Sequence, residues 1–279
     1  MDAGFATPGG RSPAEGRPGF PGKEGREQTV QEPTRQTDDR GLIQLCIDSL
    51  TQRIAELGLT LVIERDFHKL NAILTANETF ANPTFDPTKS RMGPQDFFVH
   101  LLDETGRSVG TSGERVFDTE DLLEMIADGR LFFEGGYRKL LGVDRLPVLP
   151  LSRRFSGRVS HSGSTWTHPD WRRRGLAMYM AYLSRALSFR NAGCSVNTGF
   201  VRQYLVGSSV PRESYGYLHV ELVVDGEFPP VGGPEKAYLC WVDREEFIDT
   251  VRALPQHPKN PVPLRPLAEP GLADLPPAE

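Results

Sequence analysis

The chain contains 279 residues, carries a formal net charge of -5 and has a mean hydropathy of -0.39. No apolar run approaches the roughly 20 residues that a membrane-spanning helix needs, so we expect no membrane span. The negative net charge also argues against nucleic acid as the main partner.

The cysteines and histidines show no metal-ligand spacing. Cys46, Cys194 and Cys240 lie far apart, whereas disulfide frameworks and zinc ribbons need paired, closely spaced cysteines. We therefore expect no bound metal, and we interpret Cys194 as a small core residue rather than a nucleophile. The first residues lack the basic and apolar regions of a secretory signal, so the expected setting is the cytoplasm.

Glycine and proline are concentrated at the two ends of the chain. Residues 1–40 offer only two phenylalanines and one valine for burial, which is too little to offset the entropy of ordering. Residues 254–279 are rich in proline, which removes backbone donors and disfavours helix. We predict disordered tails at 1–40 and 254–279 around one domain at 41–253.

The first elements of that domain follow from hydrophobic periodicity. Apolar residues from Ile43 to Leu57 recur at steps of three and four, which predicts a helix that Gly58 ends. The β-branched run Leu59–Glu64 predicts a strand, and a short helix should follow from Phe67.

The later elements complete a mixed α/β pattern. Phe97–Leu102 and Ser108–Thr111 read as a hairpin, and Asp118 is predicted to cap a helix that continues through Ala127. A strand at Gly157–Thr167 precedes a strong helix, and a late strand precedes a closing helix. We predict a central mixed sheet flanked by helices.

The segment with the clearest chemical signal joins that strand to that helix. The strand ends at Thr167, a turn follows, and Arg172–Ala177 leads directly into the helix. Unpaired N–H groups and the helix dipole make such a helix start suitable for a polyanion such as pyrophosphate. Gly175 permits close backbone approach, and the arginines add charge, so a bound anion explains them better than a solvated basic patch.

This segment resembles the acyl-CoA-binding motif of the GNAT N-acetyltransferase superfamily, V-x-P-x-x-(R/Q)-x-x-G-x-(G/A). Residues 167–177 match it at every specified position except the first, where Thr167 replaces valine. The resemblance covers about residues 157–217 and implies a GNAT-like sheet. It also implies acetyl-CoA as co-substrate, with an amine as acceptor. The residues implied to bind the cofactor are Trp166, Thr167, Arg172, Arg173, Arg174, Gly175, Leu176, Ala177 and Met178.

The resemblance also suggests candidate catalytic residues. His161 occupies the position of a strand glutamate that some members use as general base, and its ordinary pKa suits proton removal from an ammonium. The family's usual general-acid tyrosine would lie at position 212, which is arginine here. Tyr215 is the nearer candidate for that acid, and Tyr204 stays open as another.

The predicted function is therefore transfer of an acetyl or acyl group from acetyl-CoA to a primary amine by direct attack. The alternative is a non-catalytic, acyl-CoA-binding regulatory protein, which the displaced tyrosine and the absent strand glutamate motivate. The acceptor, the acyl-chain preference and the oligomeric state stay open, and a homodimer is compatible with the sequence.

Overall fold

The computed structural model describes residues 34–253, with side chains from residue 39. A seven-stranded sheet in the order β1-β2-β3-β4-β5-β7-β6 forms its centre. All neighbouring strands are antiparallel except β4 and β5, which run parallel. The predicted mixed sheet flanked by helices is confirmed.

Strands and helices are interspersed along the chain. The strands are β1 Thr60–Glu64, β2 Phe97–Leu102, β3 Ser108–Thr119, β4 Gly157–Thr167, β5 Val196–Arg202, β6 His219–Phe228 and β7 Gly233–Asp243. The α-helices are α1 Thr34–Glu56, α2 Phe67–Ala76, α3 Leu122–Ala127, α4 Gly136–Leu141, α5 Leu176–Leu187, α6 Gln203–Val206 and α7 Arg244–Ala253. Short π-helical turns follow α5 and α6 at Ser188–Ala192 and Val210–Ser214.

Helices cover both faces of the sheet because apolar residues alternate along its strands. On one face, α1, α5 and α7 bury a core around Leu50, Met180 and Phe247. On the other face, α3 and α4 cover a core around Phe132 and Trp241, and α2 covers a smaller one. The free cysteines are all buried, and burial raises the pKa of Cys194 to about 12, which fits its predicted place in the core.

Two sequence predictions are wrong in detail. Asp118 does not cap a helix, because β3 continues through Thr119 and the Asp118 carboxylate pairs with Arg158 at 2.9 Å. Asp121 caps α3 instead, accepting from the amide of Leu123. In addition, α1 begins at Thr34, inside the segment predicted as a tail. The rest of that tail, residues 1–33, and the predicted tail at 254–279 lie outside the described residues.

The segment between α2 and β2, for which the sequence indicates no regular element, is anchored by a buried arginine. Arg115 of β3 donates to the Asp96 carboxylate at 2.9 Å and to the carbonyl of Thr84 at 2.8 Å. It also bonds Ser90 and the carbonyl of Arg91. These bonds hold the segment across β3 and β4, beside the open strand edge described below.

Candidate active site

Strands β4 and β5 diverge partway along their length. They pair in parallel from Val159 to Ser162, with Ser162 opposite Gly199. Beyond Ser162, β4 continues to Thr167 with no partner on its β5 side among the strands of residues 34–253. Backbone groups along 163–167 are therefore available to a ligand that lies against the strand.

A β-bulge distorts the same stretch of β4. Gly113 pairs with Gly163 and Thr111 with Trp166, so Ser112 lies opposite two residues, Ser164 and Thr165. Ser164 takes a φ of 50°, which is uncommon for a residue other than glycine. Its hydroxyl is buried without a hydrogen-bond partner among the described residues. The bulge lies just beyond the point where β4 leaves β5.

A tight turn then carries the chain from β4 into α5. Pro169–Trp171 forms one 3-10 turn, Arg173 has a φ of 63°, and Gly175 has a φ of 77°. A left-handed conformation costs an arginine about 1–2 kcal/mol, so the fold holds Arg173 in a strained state. Strain of this kind is concentrated at ligand sites, which makes the turn a candidate binding loop.

The amides of Gly175, Leu176, Ala177 and Met178 have no acceptor within residues 34–253. They point from the first turn of α5, where the helix dipole adds positive potential. Arg172–Arg174 are exposed, and no acidic side chain in the described part of the chain pairs with them. The Arg174 guanidinium lies 4.5 Å from the ring centre of Trp171, which holds it beside the turn. Free amides and unpaired cations together form a site for a polyanion.

Two residues predicted to bind the cofactor turn their side chains into the core. Trp166 is 6% exposed and packs with the α2 cluster, and Leu176 is 1% exposed. Only their backbone groups can face a ligand. Thr167, Ala177 and Met178 are half-buried, and the Thr167 carbonyl accepts from Arg172 Nε at 3.4 Å.

His161, the predicted base, is wholly buried on the face of the sheet opposite α5. Its Nδ1 lies 2.9 Å from Thr198 Oγ1, while Nε2 has no partner within the described residues. Phe85 and Phe200 pack against the ring. Burial, and then the charge of Arg115, lowers the pKa of His161 to about 3. The imidazole is therefore neutral near pH 7 and a weak proton acceptor.

Tyr215 and Tyr217 lie on the α5 face, on either side of Gly216. Tyr215 is half-buried, and its carbonyl accepts from Arg185 Nη2 at 2.7 Å. Tyr217 is buried, and its hydroxyl donates to the Thr198 carbonyl at 3.2 Å. A Cβ on Gly199 would lie 2.5 Å from the Tyr217 hydroxyl, so that hydroxyl occupies the point where β4 and β5 part. No pattern in the sequence indicated this location for Tyr217.

Sequence reasoning also missed a buried polar cluster beside Tyr217. It comprises Glu114 of β3, Ser162 of β4, Asn197 of β5 and Arg185 of α5, all on the α5 face. Glu114 accepts from Ser162 Oγ at 2.6 Å and from Asn197 Nδ2 at 2.7 Å. Arg185 donates from Nε to Asn197 Oδ1 at 2.9 Å. No local pattern indicates this cluster, because its residues meet only through strand pairing and helix packing.

Beyond Ser162, β4 and β5 leave a gap, called the strand opening below, and an aromatic ring covers one face of the sheet next to it. On the face opposite α5, the ring of Phe85 fills the space above Gly113 and Gly163, where a Cβ would lie 2.6 and 2.5 Å from it. At the far end of β5 lies a cavity of about 530 Å³ lined by Arg202, Gln203, Tyr204 and Glu235. Tyr204 is 73% exposed there.

Within residues 34–253, no helix is both long and apolar enough to cross a membrane. The same part of the chain contains no group of three or more histidine, cysteine or acidic side chains arranged to hold a metal ion.

No protein-family model matches the chain, and no significant match was found among curated proteins. Solved structures similar to it include mutant forms of the spermidine/spermine N-acetyltransferase SpeG from Vibrio cholerae, at 9% identity and a TM-score of 0.44. That match covers 69% of this chain and 98% of that one. A second is Arabidopsis thaliana NAA60 in complex with acetyl-CoA, at 11% identity and a TM-score of 0.42, covering 66% of this chain and 99% of that one.

A third similar structure is the spermidine N-acetyltransferase from Vibrio cholerae in complex with CoA and spermine. Its identity is 12% and its TM-score 0.41, with 68% of this chain and 98% of that chain covered. The two Vibrio cholerae proteins are N-acetyltransferases, and the Arabidopsis thaliana structure contains acetyl-CoA.

Proposed function

We propose that this chain is a GNAT-type N-acyltransferase that transfers an acyl group, acetyl in the simplest case, from acyl-CoA to a primary amine. One observation carries the proposal. The open edge of β4 at 163–167 leads within a few residues to the unpaired amides of 175–178. A ligand with an extended chain joined to a pyrophosphate fits a strand edge followed by free amides. The pantetheine and pyrophosphate of CoA form such a ligand.

Each part of the site has a role in this proposal. The amides of Gly175–Met178 and the charges of Arg172–Arg174 bind the pyrophosphate. The edge of β4 pairs with pantetheine and places the thioester near Ser162 and Gly199. A backbone N–H group on the open edge of β4, next to Ser162, stabilises negative charge on the thioester oxygen during attack.

The proton transfers need two further groups. The resemblance suggested His161 as base, but its low pKa leaves it little capacity to take a proton near pH 7. For the departing sulfur, Tyr215 stays the acid suggested by sequence, and Tyr217 is a second candidate because its hydroxyl lies at the strand junction. The cavity beside Tyr204 and Glu235 is the proposed entrance for the amine.

Labelled acetyl-CoA offered to a broad panel of primary amines tests the proposal. The panel should include polyamines, amino acids, aminoglycosides and peptides with free N-termini or lysines. We expect enzyme-dependent label transfer to at least one amine class. Tight acetyl-CoA binding without transfer to any amine would favour the non-catalytic acyl-CoA-binding alternative. Failure to bind acetyl-CoA at all would overturn both functions.

A further inference from the structure

The buried carboxylate of Glu114 is separated from the strand opening by one hydroxyl. Glu114 has no exposed surface, and its Oε2 accepts from Ser162 Oγ at 2.6 Å. Ser162 is the last residue of β4 that pairs with β5, and it is half-buried. Its hydroxyl therefore lies where the proposed thioester and the attacking amine would meet, while its proton is held by Glu114.

Among the described residues, no cation pairs directly with Glu114. Arg185 contacts it only through Asn197, whose amide oxygen accepts from the arginine and whose nitrogen donates to the carboxylate. Burial raises the pKa of Glu114 to about 7, against the lowering effect of hydrogen bonds from Ser162 and Ser160 and of the Arg185 charge. Glu114 therefore changes its charge close to neutrality.

The other titratable groups that face Glu114 come from three different parts of the chain. Arg185 lies on α5, Tyr217 precedes β6, and Cys194 precedes β5. Burial raises the pKa of both Tyr217 and Cys194, so both are neutral near pH 7. Among these groups Glu114 is the one placed to change its charge in the range where an acyltransferase would work.

We propose that Ser162 and Glu114 together accept the proton of the acceptor amine. Ser162 is the catalytic residue, because its hydroxyl touches the substrate, and Glu114 acts through it as the positioning carboxylate. The inference rests on the proposed function and deepens it. It assigns to the α5 face the proton-accepting role that sequence reasoning placed at His161.

The proposed step is balanced in atoms and charge. The ammonium gives one proton to Ser162 Oγ, as the serine passes its own proton to Glu114 Oε2. The neutral amine then attacks the thioester carbon, and the new C–N bond forms. The C–S bond breaks with its electron pair on sulfur. The sulfur takes a proton from the tyrosine hydroxyl, and the second amine proton replaces the one that the tyrosine gave up. Glu114 finally releases its proton to solvent, so one ammonium and one thioester yield an amide, a thiol and a proton.

The first test does not depend on enzymatic activity. A carbon-13 NMR titration of the glutamate carboxyl groups in the free protein should show one signal that titrates near pH 7. That signal should be absent in Glu114→Gln and present in the control Glu246→Gln. Glu246 is a suitable control because its carboxylate also has two hydrogen-bond partners, the amide of Asp243 and Nε2 of His219, and both lie outside the site. No signal titrating between pH 6 and 8 would overturn the proposal.

The second test is the pH dependence of kcat/KM with an amine that wild type acetylates. Wild type should show a break near pH 7, which Glu114→Gln and Ser162→Ala remove, with a fall of about 10²–10⁴-fold at pH 7. Ser162→Thr, which keeps the hydroxyl, should restore the break, and Glu246→Gln should leave the profile unchanged. A break that persists in both site variants would overturn the relay alone. Absence of transfer by wild type would overturn the relay together with the proposed function.

Discussion

Replacement of His161 by asparagine should remove a large acid-dependent loss of stability. The pKa of His161 falls from its ordinary 6.5 to about 3 because the ring is buried, with a further contribution from the charge of Arg115. Below pH 6.5 the unfolded chain takes up a proton that the folded chain refuses. Above pH 6.5 the histidine therefore leaves the free energy of unfolding unchanged. As the pH falls from 6.5 toward 3, it lowers that free energy progressively.

The magnitude follows from the two pKa values. Between pH 7.5 and pH 5, this one group should cost the folded state about 2 kcal/mol. Asparagine keeps a polar group next to Thr198 Oγ1 and does not titrate. The difference in unfolding free energy between wild type and His161→Asn should therefore move by about 2 kcal/mol in favour of the variant on acidification.

Urea denaturation of both proteins at pH 7.5 and pH 5 measures this difference. His68→Asn, at an exposed position of α2, provides the baseline for replacing a histidine. If the difference in unfolding free energy between wild type and His161→Asn is the same at both pH values, the pKa of His161 is not lowered by burial. That result would show that the buried imidazole titrates normally, and His161 would again be a candidate base.

Three further predictions concern the turn, the anchoring arginine and the tyrosines. Arg173→Gly should weaken CoA binding in calorimetry, while relief of the left-handed strain keeps unfolding free energy within about 1 kcal/mol of wild type; a parallel loss of both would contradict this. Arg115→Met should destabilise the protein by about 3–5 kcal/mol in urea titration because it leaves the Asp96 carboxylate buried without its ion pair; a loss under 1 kcal/mol would show that the anchor is dispensable. Tyr217→Phe should lower kcat by about 10²-fold, more than Tyr215→Phe does; the reverse order in steady-state kinetics would restore Tyr215 as the acid.

The strand–turn–helix unit was predictable because its signals are local. Gly157–Thr167 and Leu176–Leu187 form the strand and helix that periodicity indicated. In the turn between them, Gly175 takes a left-handed conformation. The anion site needs only backbone amides, which any correctly placed helix start supplies. Its placement therefore followed from the order of elements.

The rest of the site depends on long-range pairing that one sequence does not display. Glu114 resembles an ordinary surface charge in a hairpin, because glutamate is seldom buried. It is buried because Ser162 and Asn197, distant in sequence, satisfy it across two strand boundaries. The position of Phe85 was equally unpredictable, since its role depends on two glycines in other strands that leave room for its ring.

The same cause explains the error at Asp118. Aspartate three residues before another aspartate suggests a helix cap, but β3 continues because β4 pairs with it as far as Gly157 opposite Thr119. Tertiary pairing overrode the local capping signal, and the cap moved to Asp121.

We propose that the start of α5 binds the pyrophosphate of an acyl-CoA. Calorimetric titration with acetyl-CoA of wild type, Ala177→Asp and Ala177→Asn tests it most directly. A carboxylate at residue 177 suits the helix dipole but repels a bound phosphate, whereas asparagine matches its size without the charge. We predict saturable one-to-one binding by wild type, a loss of about 100-fold in Ala177→Asp, and a much smaller loss in Ala177→Asn. Equal affinity of all three proteins, or no binding by wild type, would contradict the claim.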